Sequence, residues 1–368
     1  MAALYFHIPF CKTRCVYCDF FSSTDQGKKE EYISALCREL EERKNYLQGE
    51  TIETIYFGGG TPSLLSAKDF ERIFETCSTV GIPLHPVSEI TLEANPDDLN
   101  EEYLDSLKHL PFNRISIGIQ SFNDKELVFL NRRHNAQSAI RAVELCQKKG
   151  LQNISIDLIY GLPNQTLANW EATIRQAIAL NIPHISAYHL IYEEATPLHR
   201  FIQEKQIQAI NEETSVRMFE ILIDKLASAG FEHYEISNFA KKGFHSRHNS
   251  SYWNGTPYLG IGASAHSFDG KSRQWNVSGL NYLVQTPEIE ILSPKDQFND
   301  FILTRLRTMQ GIDLEELSRI FGEKQKNDCL RKAQKHLNNK CLEIDKHFLR
   351  LSCKGIFVSD GIMCDLMH

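Results

Sequence analysis

The feature that most limits how this chain can fold is an alternation of short β-rich runs with helical patterns over its first 230 residues. "ALYFHI" (3–8) comes first, followed by a loop and a helical pattern from Lys28 to Tyr46. "IETIYFGG" (52–59) precedes a helix over 66–79, where Ser66 and Asp69 have the spacing of a capping box. "EITLEAN" (89–95) precedes a helix over 100–109, and "RISIGIQ" (114–120) precedes helices over 123–131 and 137–149. "NISIDLIYGLP" (153–163) leads to a helix over 167–180, and "HISAYHLIY" (184–192) leads, after a longer connection, to one over 212–229. About six strand–helix units predict an α/β fold with a parallel sheet, open or curved into a full or partial barrel. Functional groups then belong at the C-terminal strand ends. The cysteine loop, "GGGTPS", "EANPDD", "QSFND" and "DLIYGLP" all fall there.

The pattern changes at Phe231. "HYEISNFAKKGFHSRHNSSYWNGTPYLGIGASAHSF" (233–268), rich in Gly, Ser, Asn and aromatics, predicts short strands with long loops. Gln285 to Asp296 reads as a linker. Helices are expected over 297–309, 314–321 and 327–339, followed by a β-rich end, "FLRLSCKGIFVSDGIM" (348–363). Helices followed by a hairpin suggest a small helical, winged-helix-like domain. The expected units are a barrel over 1–230, a loop-rich β extension over 231–290 and this C-terminal domain over 291–368.

Composition narrows the partners. The formal net charge is −7 and no basic run stands out, so nothing points to nucleic acid or an anionic membrane surface. No apolar stretch approaches the ~20 residues that span a bilayer, and "MAALYFHIPF" lacks the charged and long apolar regions of a signal peptide. A cytoplasmic chain without a transmembrane segment is expected. Its ten cysteines are then mostly thiols.

Three of those thiols, Cys11, Cys15 and Cys18, form C-x-x-x-C-x-x-C after the first strand. Thiolates favour zinc or iron–sulfur clusters. Structural zinc usually wants a fourth Cys or His. No second C-x-x-C pair exists, which leaves His7 as the zinc alternative. A 4Fe–4S cluster on three cysteines instead leaves one iron free for an external ligand. Gly58, Gly59 and Gly60 at the next strand end permit a backbone approach that a Cβ would block. Cys37, Cys77, Cys146, Cys329, Cys341, Cys353 and Cys364 are dispersed and read as structural thiols.

The cysteine spacing followed by "FGGGTPS" resembles the radical S-adenosylmethionine (SAM) superfamily. That resemblance implies a partial (β/α)6, TIM-like barrel, a 4Fe–4S cluster on Cys11, Cys15 and Cys18, and SAM bound through its amino and carboxylate groups at the open iron. "LYFHIPFCKTRCVYCDF", "YFGGGTPS", "ISIGIQSFND" and "DLIYGLPNQT" are similar to the oxygen-independent coproporphyrinogen oxidase family over nearly the whole chain. Carried over by motif, its SAM contacts are Tyr5, Tyr17, Gly59, Gly60, Thr61, Glu93, Gln120, Arg132 and Asp157. Carboxylates and an amide suit hydroxyls and an ammonium, and a guanidinium suits a carboxylate.

The family has two main branches. The oxidase branch decarboxylates two propionates of coproporphyrinogen. It resembles C-x-x-x-C-x-x-C-x-C and carries an N-terminal extension; here Phe20 takes the fourth cysteine's place and Tyr5 lies almost at the start. The haem-chaperone branch, HemW, shares the C-x-F ending and an H-N-x-x-Y-W motif, His248-Asn249-Ser250-Ser251-Tyr252-Trp253. That resemblance implies haem binding by His248, Asn249, Tyr252 and Trp253, with transfer to an acceptor protein. Imidazole is a common haem ligand, aromatics pack on porphyrin, and Arg247 can pair a propionate. His245 and His266 are alternative ligands nearby. Read without the resemblance, the motif is better taken as a loop with a hydrogen-bonded histidine and two core aromatics, since a lone histidine is not diagnostic. The two functions to separate are haem carriage and porphyrinogen decarboxylation.

Overall fold

Period-two alternation in the strands builds the scaffold. In the computed structural model, which describes residues 1–82 and 84–368, the first six strands and their helices are β1 (Ala2–Ile8), α1 (Lys29–Glu42), β2 (Ile52–Gly59), α2 (Ala67–Thr79), β3 (Leu84–Ala94), α3 (Glu101–Ser106), β4 (Arg114–Gln120), α4 (Asp124–Phe129), α5 (Ala136–Lys148), β5 (Ile154–Tyr160), α6 (Leu167–Ala179), β6 (His184–His189), α7 (Pro197–Gln203) and α8 (Glu212–Ser228). Strands β1 to β6 lie side by side in sequence order, all parallel. They form the expected partial (β/α)6 barrel.

One face of each strand is apolar. Leu4, Phe6 and Ile8 pack with Ile55, Phe57, Ile90 and Leu92 beneath α1 and α2. Ile115, Ile117, Ile119, Ile154, Ile156 and Leu158 pack beneath α5 and α6. Full burial of such a side chain stabilises by roughly 1.5–3 kcal/mol. The alternate residues include Tyr5, Thr54, Tyr56, Glu93, Ser116 and Asp157. Because side chains on a strand alternate in direction, these fall on the opposite face, inside the barrel. The interior is therefore polar and must satisfy its own hydrogen bonds.

Residues 231–291 continue the same sheet. β7 (Glu232–Glu235) and β8 (Asn238–Ala240) form an antiparallel pair beside β6. After α9 (Arg247–Trp253), β9 (Tyr258–Ile261) adds in parallel beside β1, followed by antiparallel β10 (His266–Phe268), β11 (Ser272–Trp275) and β12 (Glu288–Ile291). The expected linker thus contains an edge strand. Its four side chains are all exposed, so no buried alternation marked it.

The C-terminal unit comprises α10 (Pro294–Leu306), β13 (Ile312–Asp313), α11 (Leu314–Phe321), α12 (Glu323–Asn338), β14 (Leu342–Asp345), β15 (Phe348–Leu351), α13 (Cys353–Ile356) and α14 (Ser359–Leu366). Its three short strands pair antiparallel in the order β13-β15-β14. The β-rich end stops earlier than expected. Ser352 accepts a cap bond from Gly355 N–H, and Ile356, Ile362, Met363 and Leu366 are buried in the main core, so the tail is helical. No helix among the described residues is long and apolar enough to cross a membrane.

Helix α9 closes the barrel at its N-terminal end. The backbone N–H groups of Arg247 and His248 donate to Glu89 Oε2 and Oε1 at 3.1 and 3.0 Å. A carboxylate suits a helix start. Glu89 is the β3 register partner of Thr54 on β2, well below the strand ends.

At the β9 edge, a second polar network ties the extension to α1. Glu39, 2% exposed, accepts from Arg43 Nη1 (2.9 Å), Gly262 N–H (2.8 Å) and Asn276 Nδ2 (2.7 Å). Glu39→Ala removes the carboxylate that pairs the buried Arg43 and takes the partner of Gly262 N–H, while Arg43 and Asn276 keep bonds to Gly260 O and Gly262 O. It is expected to lower stability by about 3–5 kcal/mol in urea unfolding of the full chain; a loss below 1 kcal/mol would mean the network does not hold this edge.

Candidate functional site

The C-terminal strand ends surround a cavity of about 560 Å³. Cys11, Cys15 and Cys18 line one side, on the loop after β1. That loop is pinned by Cys11 N–H to Ser23 O (2.9 Å) and Ser23 N–H to Pro9 O (2.7 Å). His7 is not available as a fourth ligand. Its Nε2 bonds Phe21 O at 2.9 Å and its Nδ1 bonds Tyr5 Oη at 3.1 Å. The zinc alternative that used His7 fails on this geometry. Phe20 stands at the rim, 67% exposed.

The glycines set how closely the loop approaches β2. Gly59 has φ +106°, and a Cβ there would lie 2.6 Å from the His7 ring. A Cβ on Gly60 would meet the Ile8, Pro9 and Phe10 backbone at 2.8–2.9 Å. Neither position admits a side chain without moving the cysteine loop. Thr61 Oγ1 donates to Cys11 Sγ at 3.5 Å.

Glu93 and Asp157 supply the charge on the cavity wall. Tyr56 Oη donates to Glu93 Oε1 at 2.6 Å, yet burial, helped by Asp157 nearby, pushes the Glu93 carboxyl up to about 7. Burial raises Asp157 to about 6, although Arg114 and hydrogen bonds from Ser186 and Ser116 pull the other way. Gln120 sits at φ 70°, at a register shift on β4. A Cβ on Gly118 would lie 3.0 Å from its amide nitrogen. Left-handed backbone at a non-glycine residue concentrates at functional sites.

Arg132 reaches the cluster loop. Nη1 donates to Cys15 Sγ at 3.2 Å, while Nη2 donates to Asn95 Oδ1 and Gly118 O, each at 2.6 Å. Arg133 turns away to Asp97 and Asp98. Burial pushes the Cys11 thiol up and the Cys18 thiol to about 11. These thiols lose their protons when a metal takes the proton's place.

Of the residues expected to contact SAM, Tyr17, Gly59, Gly60, Thr61, Glu93, Gln120, Arg132 and Asp157 line this one cavity. Tyr5 does not; it lies one layer deeper, against Gly58 and His7. Asn95, Ser116 and Gly118 also line the cavity and were not singled out from sequence. Ser116, Gly118 and Gln120 follow one another at every second position, the spacing that points strand residues to one face.

The haem-motif residues are elsewhere. His248 is 1% exposed, with Nδ1 bonded to Thr54 Oγ1 (2.8 Å) and Nε2 to Tyr252 Oη (2.9 Å). Its ring stacks on Tyr56, centroids 4.8 Å apart, and burial lowers its pKa to about 3. In this structure both nitrogens are engaged, as in a hydrogen-bonded core histidine. Asn249 lies on the same turn, its N–H donating to the Ser246 cap. Trp253, at the far end of α9, packs under Arg307, whose guanidinium carbon is 5.1 Å from the ring centroid.

Comparison with known proteins agrees with this architecture. The Radical SAM superfamily model matches residues 5–177, and the HemN C-terminal domain model matches 292–358. The haem chaperone HemW of Lactococcus lactis is 34% identical over 97% of this chain and 95% of its own length. The chain belongs to the HemW family. HemW of Escherichia coli is 38% identical over 72% of this chain and 69% of its own. Among solved structures, the coproporphyrinogen III oxidase HemN of Escherichia coli superposes with a TM-score of 0.85 at 21% identity, covering all of this chain and 90% of that one, which shows a shared fold.

Membership of this family within the radical SAM superfamily implies a 4Fe–4S cluster and SAM. The donor set fits both: three thiols on one wall, and carboxylates, an amide and a guanidinium on the others. When bound, the cluster supplies an electron and an open iron. Cys11, Cys15 and Cys18 would hold three irons, and the cavity walls would orient a zwitterionic, cationic ligand.

Glu93, a cavity-wall carboxyl with a raised pKa, would make that binding pH-dependent. A positively charged ligand favours the ionised carboxyl, so binding expels a proton wherever the free Glu93 holds one. SAM affinity of the reconstituted protein is expected to rise about tenfold between pH 6 and pH 8 and to level above, with Glu93→Gln flattening most of the rise. Anaerobic calorimetry in buffers of different ionisation heat checks this; a pH-independent affinity contradicts it.

Proposed function

We propose that this chain carries haem: it holds a 4Fe–4S cluster on Cys11, Cys15 and Cys18, binds SAM beside it, binds haem, and passes haem to an acceptor protein. The observation that carries the reading is the end-to-end similarity to a relative named as a haem chaperone. Phe20 in the place of the oxidase branch's fourth cysteine supports it, since its rim position offers no metal ligand. Residues 1–230 would hold cluster and SAM, 231–290 would carry the H-N-x-x-Y-W helix, and 291–368 would flank it. A cytoplasmic location and a respiratory haem enzyme as acceptor complete the proposal.

In this reading, Tyr17, Gly59, Gly60, Thr61, Glu93, Gln120, Arg132 and Asp157 contact SAM directly, and Tyr5 supports them from below. His248, Asn249, Tyr252 and Trp253 serve haem binding through α9, of which Trp253 is the end that lines a second cavity.

The second reading, oxidative decarboxylation of coproporphyrinogen, draws on the HemN-like fold. One anaerobic experiment separates the two. The reconstituted protein, given SAM, reductant and coproporphyrinogen, is expected to form no protoporphyrinogen while binding added haem. Sustained protoporphyrinogen production would overturn the carrier reading.

A further inference from the structure

Arg114 opens β4 and is among the largest buried side chains, 2% exposed. It precedes Ser116 and Gly118 at every second position, so its side chain leaves the strand on the same inner face, one step below the cavity wall. Its Nε has no hydrogen-bond partner, and no described residue forms an ion pair with its guanidinium. The hydroxyl of Thr91, its register partner on β3, is also buried without a partner among the described residues. A buried guanidinium that touches no carboxylate lowers stability, and an apolar side chain of similar volume would fill this space with less penalty.

The charge sits between two unlike layers. Register sets Glu93 opposite Ser116 and Asp157 opposite Gly118, so both carboxyls lie above Arg114, toward the strand ends. Below it are two imidazoles. His184 bonds Ser155 Oγ and Tyr234 Oη at 2.7 Å each, and His248 bonds Thr54 and Tyr252. Burial, reinforced by Arg114, keeps both rings unprotonated. Glu89, the carboxylate at this lower level, already accepts from the N–H groups that start α9. The positive potential of Arg114 therefore falls on Glu93 and Asp157, where it opposes the effect of burial.

Other groups facing these carboxyls do not replace it. Glu93 faces Asp157 and the phenols of Tyr56, Tyr5 and Tyr252, whose ionisation burial suppresses. Asp157 faces the Ser116 and Ser186 hydroxyls, the Tyr188 phenol and Arg132. Arg132 also favours charge on Asp157, but its Nη atoms are held by Cys15, Asn95 and Gly118. A guanidinium in contact would occupy the carboxylate oxygens. Arg114 instead acts from beyond contact, through an interior of low dielectric, and leaves those oxygens open to a ligand.

We infer that Arg114 is a positioning residue for SAM: from beneath the cavity it supplies positive potential that keeps Glu93 and Asp157 charged for a cationic ligand without occupying their oxygens. The inference rests on the reading of those two carboxyls as SAM contacts. Loss of a nearby cation raises a carboxyl's pKa, so the rise of SAM affinity with pH should move to higher pH. SAM is titrated by anaerobic calorimetry, between pH 6 and pH 9, into the reconstituted full chain and into Arg114→Met, Arg114→Gln and Arg114→Lys. Iron counts and far-ultraviolet circular dichroism check loading and fold. Both neutral variants are expected to bind about fivefold more weakly at pH 7 and to come within about twofold of the wild type at pH 9, an upward displacement of about one pH unit. Arg114→Lys, which keeps the charge, is expected to follow the wild type. Neutral variants that share the wild-type profile, or that lose the same factor at every pH, overturn the inference. So does failure of both to fold while Arg114→Lys folds, which would assign the charge to stability alone. A wild type that binds SAM with no pH dependence overturns the contact reading beneath it, and a wild type that binds no SAM overturns the SAM site itself.

Discussion

Everything in this molecule depends on the pleat of six parallel strands, because it separates two incompatible environments one residue apart. Ile115, Ile117 and Ile119 belong to the apolar layer under the helices, while Ser116, Gly118 and Gln120 between and beyond them line the cavity. The apolar layer gives the fold its stability. The polar inner face cannot be left dry and unpaired, and its hydrogen bonds run in a column from the bottom of the barrel to the top. His248 on α9 bonds Thr54 and stacks on Tyr56; Tyr56 donates to Glu93; Glu93 lines the cavity beside Gly59 and Gly60.

That column relates the two ends of the barrel. The cysteine loop is anchored through His7 to Phe21 O, and Tyr5 joins His7 to the same aromatic stack that holds His248. A change in charge or position at Glu93 therefore acts on Tyr56, and Tyr56 is packed against the histidine of α9. Trp253, six residues further along the chain from Arg247, places the other end of that helix on the second cavity. The geometry gives a contiguous run of contacts from the Glu93 carboxyl on the cavity wall to α9.

Much of this was legible in the sequence, for identifiable reasons. The three cysteines and the glycine run occur at strand ends whose spacing the βα repeat fixes, so their convergence followed once the strands were recognised; Arg132 lies between α4 and α5 and was pointed to only by the family motif. The Ser66–Asp69 capping box formed as its spacing implied. The position of His248 was not legible. Whether a histidine in a Gly- and Ser-rich extension faces solvent or plugs a barrel depends on Glu89 and Thr54, roughly 160 and 190 residues away in the chain, and no local pattern carries that. The strand at 288–291 was hidden for a similar reason: its partners on β11 supply backbone bonds, and its side chains bury nothing.

The central claim is that the three thiolates leave one iron open to a ligand held by the Glu93–Arg132 cavity. Its most direct test is electron paramagnetic resonance of the reduced, reconstituted cluster with and without SAM, alongside an iron count. The account predicts four irons per chain and a spectrum that shifts on adding SAM, the shift weakened in Glu93→Gln. A cluster whose spectrum is indifferent to saturating SAM, or a site that takes up zinc and no iron–sulfur cluster, would contradict it.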